Sequence, residues 1–253
     1  MKTISLIFIF TSWSLFAQKD YEKTYFDNDT LMTEGWMLDN QKVDYWKYYY
    51  QDGKLKKSGT YLNDKESQYW YFYHPNTSLK EEGHFSLGKP SGYWKFYNDS
   101  GQMVKEGNFV NGQKVNYWKY HHSNGSLQKG GDYIKGKRTN YWKFYYENGT
   151  LKKEGRFQND KEIKYWYFYH DNGNKESEGH FNMGKKNDWW IFYNLQGIIS
   201  YKCQFKDHLK EGYLLRYKNK AIVQAEKYIA GKKINEWTDM KSFRKENKLK
   251  NLQ

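Results

Sequence analysis

Seven tryptophans recur at intervals of 24 residues, Trp46, Trp70, Trp94, Trp118, Trp142, Trp166 and Trp190, and seven glycines keep the same interval from Gly35 to Gly179. A fixed period of this length marks one supersecondary unit copied along the chain, so the architecture is a stack of neighbour-contacting units and not a single globular core. The same feature bounds function. Repeated residues build surfaces, whereas catalysis usually draws on a unique constellation.

The unit reads as a β-hairpin. Between Asn140 and Phe157, runs of Trp, Tyr and Phe with period-two alternation flank Asn148-Gly149. That pair favours a two-residue type I′ turn, in which both residues take positive φ. Asp52-Gly53, Ser100-Gly101, Asn124-Gly125 and Asn172-Gly173 fill the same slot. A second turn (Asn111-Gly112, Lys135-Gly136, Asn159-Asp160, Met183-Gly184) leads into the next tryptophan strand. A two-residue tip sets Trp142 opposite Gly155, Trp94 opposite Gly107 and Trp190 opposite Cys203. On this reading each glycine makes room for the indole of its own hairpin. Lys95 then faces Glu106 and Lys143 faces Glu154, as favourable cross-strand charge pairs.

Alternation sorts the two faces. Trp142, Phe144, Leu151, Gly155 and Phe157 share an apolar face that must be buried, and Tyr141, Lys143, Tyr145 and Glu154 share an amphipathic one. The predicted fold is all-β: tandem 24-residue β-hairpin repeats stacked into one elongated, twisted or coiled antiparallel sheet. Strands about 4.8 Å apart advance the stack roughly 9.6 Å per repeat. Burying the tryptophan face calls for the sheet to coil on itself. The array spans residues 18–240. At its start Leu31 to Met37 keep only the glycine half of a unit; at its end Leu214 stands for tryptophan and Lys227 for glycine. Leu214 to Trp237 is one residue short of the period, read as a deletion in the final connecting strand. Residues 241–253 form a basic tail, helical or disordered.

At the amino terminus Met1-Lys2, an apolar run from Ile4 to Phe16 and Ala17 describe a secretory signal peptide over residues 1–17. The expected location is therefore exported: periplasm, outer membrane surface or extracellular. Removing that segment and its one lysine takes the formal charge from +13 to +12. Only four of the 42 basic residues are arginine, Arg138, Arg156, Arg216 and Arg244. Arginine carries bidentate recognition of phosphate and bases, so a lysine excess suits anionic lipid or acidic glycan better than nucleic acid. Cys203 is the single cysteine, which leaves no intramolecular disulfide.

The recurring Tyr-Trp-Lys-Phe-Tyr strand, the Asn-Gly tip, the Leu-Lys-Lys-Glu-Gly-x-Phe strand and the closing Asn-Gly-Lys resemble the variant MORN repeat, over about residues 21–240. The resemblance implies stacked hairpins in an elongated sheet. Bacterial proteins with this repeat are often labelled as the antitoxin component of a toxin–antitoxin module, and MORN repeats elsewhere are associated with lipid contact and scaffolding.

No catalytic or phosphate-binding motif appears. The histidines sit on the repeat grid, His74, His122 and His170 in one slot and His84 and His180 in another, which spreads them along the stack and away from any shared metal. No enzyme activity, cofactor or metal is therefore expected. The expected role is a non-catalytic binding or scaffold module working through the Tyr/Lys face, with Tyr93, Lys95, Tyr97, Tyr117, Lys119, Tyr141, Lys143, Tyr145, Tyr165 and Tyr169 as contact residues. The partner is another protein or an envelope glycan stacked on tyrosine platforms. An alternative is an anionic lipid held by a stripe of turn lysines, Lys65, Lys89, Lys114, Lys137, Lys161 and Lys185. An antitoxin-like protein is the last alternative. Oligomeric state is left open.

Overall fold

The structure, a computed structural model, describes residues 18–247, so the signal peptide expected over residues 1–17 and the end of the expected tail, residues 248–253, lie outside the described residues. Nineteen strands, from Asp20–Tyr25 to Lys232–Trp237, form one antiparallel sheet. Each strand pairs with its neighbours in sequence. The sheet is open, and among the described residues its substantial packing is between adjacent strands, with one short helix on the last two. The expected coiling of the sheet onto itself is thus not what buries the tryptophans.

The two-residue type I′ geometry read for the Asn-Gly tips belongs to the other turn of each repeat. Asn159 and Asp160 (φ 50° and 67°), Asn111 and Gly112 (50° and 77°) and Met183 and Gly184 (48° and 88°) are the true two-residue turns with both φ positive. At the Asn-Gly tips only the glycine is left-handed, as at Gly149 (φ 84°). There Tyr146 N–H donates to the Thr150 carbonyl at 2.9 Å and Gly149 N–H to the Tyr146 carbonyl at 3.0 Å, enclosing a three-residue loop. Asn148 serves another purpose. Its Oδ1 accepts from Thr150 N–H at 2.9 Å, while its Nδ2 donates to the Asp171 carbonyl of the next tip at 3.1 Å. Asn76, Asn124 and Asn172 repeat the tip-to-tip bond. The longer loop alone would slip the register by one residue, but a bulge between Phe144/Tyr145 and their partners restores it, so Trp142 does pair with Gly155.

The glycine, however, makes room for a different indole. A Cβ on Gly155 would overlap the Cδ2, Cε2 and Cγ atoms of Trp166, the tryptophan of the following hairpin, and Gly35, Gly59, Gly83, Gly107, Gly131 and Gly179 each meet the next tryptophan in the same way. Two residues before every such tryptophan the chain turns left-handed, at Asp44, Gln68, Gly92, Asn116, Asn140, Lys164 and Asp188. The ladder shifts there, as between Glu154 and Arg156 against the strand Lys161–Tyr169. The opened ladder exposes carbonyls, and the indole N–H takes them: Trp70 Nε1 donates to Thr60 O at 3.1 Å and Ser67 O at 3.2 Å, and Trp142 Nε1 to Asp132 O and Thr139 O at 3.1 Å each. Glycine, left-handed bulge and tryptophan are one device. Cys203 follows from it. The residue that would lie over position 203 is Leu214, so no glycine is required there.

The core is one side chain deep and runs the length of the array. Trp70, Trp118, Trp142, Trp166 and Trp190 are fully buried. Phe157 stands edge-on to Trp142 (centroids 6.0 Å) and to Trp166 (5.0 Å), and Phe109 does the same between Trp94 and Trp118. Lateral aromatic neighbours take the place of a second layer.

The missing residue near the end lies in a tip. Asn219-Lys220 is a two-residue turn with φ of 50° and 64°, so the last hairpin has lost one loop residue and its connecting strand is intact. Beyond it the helix Met240–Glu246, capped by Asp239 accepting from Lys241 N–H and Ser242 N–H, places buried Phe243 against Tyr213, Leu215, Ala225 and Trp237. The sequence reading assigned no core residue to this stretch.

Candidate functional site

On the face opposite the tryptophans, three rows of side chains cross the sheet. Residues just before each tryptophan supply Tyr93, Tyr117, Tyr141 and Tyr165; residues just after it supply Lys95, Lys119 and Lys143; residues three beyond supply Tyr97, Tyr145 and Tyr169. The structure therefore brings the ten sequence-predicted residues to one face. They are not equally available. Tyr93 (43%), Tyr117 (47%) and Tyr141 (38%) are exposed, as is Tyr45 in the same row, whereas Tyr97, Tyr145, Tyr165 and Tyr169 are half-buried.

Glutamates set between the rows brace some of these tyrosines. Tyr97 Oη donates to Glu82 Oε1 and Tyr169 Oη to Glu154 Oε1, both at 2.9 Å, and Tyr49–Glu34 and Tyr193–Glu178 repeat the pair. The same carboxylates hold lysines. Lys119 lies 3.4 Å from Glu106 and Lys143 3.8 Å from Glu154. Lys95 departs from its expected pair. It is in register with both Glu82 and Glu106, but its ammonium lies 4.0 Å from Glu82 because Glu106 is taken by Lys119. Tyr97 and Tyr169 are thus braces with occupied hydroxyls, while Tyr93, Tyr117 and Tyr141 are the more exposed rings, Tyr117 lying across Gly130.

Burial, then the neighbouring Glu106, pushes the Tyr93 phenol up to about 12, and burial with the Glu154 charge does the same for Tyr141. These phenols stay protonated at neutral pH and act as neutral donors and platforms. Two of the three histidines of the shared slot bond the next strand: His122 Nε2 is 3.0 Å from the Tyr145 carbonyl and His74 Nε2 3.1 Å from that of Tyr97, and Tyr146 Oη makes the equivalent bond to Tyr169 O, whereas the buried Nε2 of His170 has no partner. Among the described residues no group of three or more His, Cys, Asp or Glu is placed to hold a metal ion.

Sequence reading missed a second set of cations. Lys105, Lys129 and Lys153 share the strand parity of the tryptophans, and their ammoniums stand over Phe96 (4.3 Å), Tyr120 (4.7 Å) and Phe144 (4.8 Å) on the aromatic face. The alternation that assigned Phe144 and Phe157 to this face carries Lys153 with them. Lys114, assigned to the turn stripe, is one residue off its beat: Lys65, Lys89, Lys137, Lys161 and Lys185 are exposed at the turns, whereas Lys114 folds over Trp118 at 4.4 Å.

Residues 45–63, 90–111, 138–159 and 164–183 match the family profile described as the MORN repeat variant. The chain carries MORN-variant repeats. Each matched segment falls on one tip-bearing hairpin. No curated protein matches the chain. Among solved structures, the crystal structure of TcdB2-TccC3-Cdc42 aligns at 14% identity over 78% of this chain and 11% of that one, with a TM-score of 0.22. The Photorhabdus luminescens Tc holotoxin pore aligns at 13% identity over 82% and 12%, also with a TM-score of 0.22. The MORN-variant array thus spans about a tenth of those chains, at scores too low to bear on fold or function.

Proposed function

We propose that this MORN-variant array is an exported, non-catalytic scaffold that docks another protein on its Tyr/Lys face. The observation that carries the reading is the exposed row Tyr93, Tyr117 and Tyr141, held by a glutamate-braced sheet whose other face contains the core. Tyrosine supplies large contact area at low entropic cost, and a repeated rigid row offers it without reorganisation. The sole support for export is the Met1–Ala17 pattern. An antitoxin acting on an internal toxin would have to remain inside the cell, so that role fits the same pattern poorly.

Crosslinking in the native host followed by mass spectrometry tests the proposal. A reproducible protein partner should be recovered with the native chain and lost with the Tyr93→Ala, Tyr117→Ala, Tyr141→Ala variant. A partner retained by that variant, or capture by an insoluble envelope glycan or anionic vesicles in place of protein, overturns it.

A further inference from the structure

The aromatic face carries a second arrangement that the outer face does not explain. In strand register Lys105 lies beside Tyr120, Tyr120 beside Lys129, Lys129 beside Phe144 and Phe144 beside Lys153, so cation and ring alternate across five consecutive strands. The three lysines occupy alternate strands and so recur at about 9.6 Å. Among the described residues none of the three has a carboxylate within 4.0 Å, although elsewhere on this face Lys57 meets Glu66 at 3.9 Å and Arg138 meets Asp160 at 3.0 Å. Glu81 holds the equivalent slot two strands before Lys105 and ends the row there; Ser177 ends it two strands after Lys153.

We propose that Lys105, Lys129 and Lys153, with Tyr120 and Phe144 between them, bind an extended acidic peptide of a partner protein that presents a carboxylate at every third residue. A polyproline II segment repeats every three residues, about 9.3 Å, which brings successive like-facing side chains into step with the lysines. Aromatic-lined grooves are the usual seat of such segments, since their conformation is fixed before binding. The ammoniums are already placed and partly desolvated. Burial holds Lys129 and Lys153 below the ordinary lysine value, and burial with the charges of Lys105 and Lys129 takes neighbouring Lys114 to about 8. A bound carboxylate relieves that repulsion. The site lies on the opposite face from the tyrosine row and stands independently of it.

The test is fluorescence anisotropy on the whole chain with a labelled Glu-Pro-Pro peptide of four repeats. The comparison peptide has the same composition with its four glutamates contiguous. The spaced peptide should bind at least tenfold tighter, and the Lys105→Gln, Lys129→Gln, Lys153→Gln variant should lose at least tenfold. The Lys206→Gln, Lys218→Gln, Lys220→Gln variant removes equal charge away from the row and should bind as the native chain does. Equal affinity for the two peptides, or equal loss in the two variants, reduces the effect to net charge and overturns the proposal. Polygalacturonate binding the row more tightly than the spaced peptide overturns it in favour of an acidic glycan. Tryptophan emission reports folding, and Lys129→Gln alone replaces the triple change if that variant unfolds.

Discussion

Trp166 lies over Gly155, eleven residues before it and on the preceding strand, in the space a Cβ would occupy. Its own hairpin partner is Gly179, which in turn lies beneath Trp190. The tryptophan beat therefore ties each repeat to the one before.

Gly155→Ala forces a methyl into a packed indole and should destabilise the chain by about 1–3 kcal/mol. Trp166→Leu in the same chain should recover part of that loss, as the natural pair Cys203 and Leu214 shows a larger residue is accepted beneath leucine. Trp142→Leu should not. Denaturant melts of the two double variants decide the matter; rescue by Trp142→Leu would return the glycine to its own hairpin.

Trp118 is fully buried and its indole N–H bonds the Asn108 carbonyl at 3.1 Å. Trp118→Ala should cost about 3–5 kcal/mol. Because packing runs between neighbouring strands, hydrogen exchange should rise first around residues 103–134 and leave the distant ends protected. A uniform rise would show that the array unfolds as one body.

Tyr49 hydrogen-bonds Glu34 and is the main reason its carboxyl lies below the ordinary value, with burial opposing. A depressed folded pKa stabilises at pH above the unfolded value and is lost as pH falls through the folded one. The melting temperature of the native chain should therefore fall on acidification from about pH 5, with a shallower slope in Tyr49→Phe. Parallel slopes would remove Glu34 from the account.

Lys114 runs the other way. Its folded pKa of about 8 lies below the unfolded value of 10.5, so its charge opposes folding at neutral pH and stability rises as pH climbs from 8 towards 10. Lys114→Met should be more stable at pH 7 and should lack that rise. Urea midpoints at pH 7 and 9.5 check both, and a native-like rise in the variant would place its source elsewhere.

The hairpins, the strand parity and the register at the tryptophans were legible because period and alternation are properties of the backbone. The tip geometry was not. Asn148-Gly149 has the composition of a type I′ turn, but Asn148 is spent on bonding the next tip, and a compensating bulge hides the extra loop residue from any count made at Trp142. Five of the seven left-handed positions, Asp44, Gly92, Asn116, Asn140 and Asp188, carry residues that favour positive φ, but Gln68 and Lys164 break the series, and a position inside a strand run reads as ladder and not as bulge. The ten outer-face residues fell on one face by parity, yet only contacts between strands separate the braced Tyr97 and Tyr169 from the open Tyr93 and Tyr117.

The Gly-to-Trp dependence gives the array a polarity that its sequence period does not. A segment running from one glycine to the tryptophan eleven residues on is self-sufficient, whereas the visible hairpin from tryptophan to glycine leaves an indole unseated at one end and an empty glycine at the other. Within the described residues Gly35 faces Glu22 on one side and lies beneath Trp46 on the other, so the first glycine of the series already serves a tryptophan eleven residues on. Gain or loss of a whole period keeps every such pair wherever the join falls, because each glycine meets an equivalent tryptophan eleven residues on. A cut that creates a new end inside a Gly-to-Trp segment leaves an empty glycine or an unseated indole there, whereas a cut between segments leaves neither.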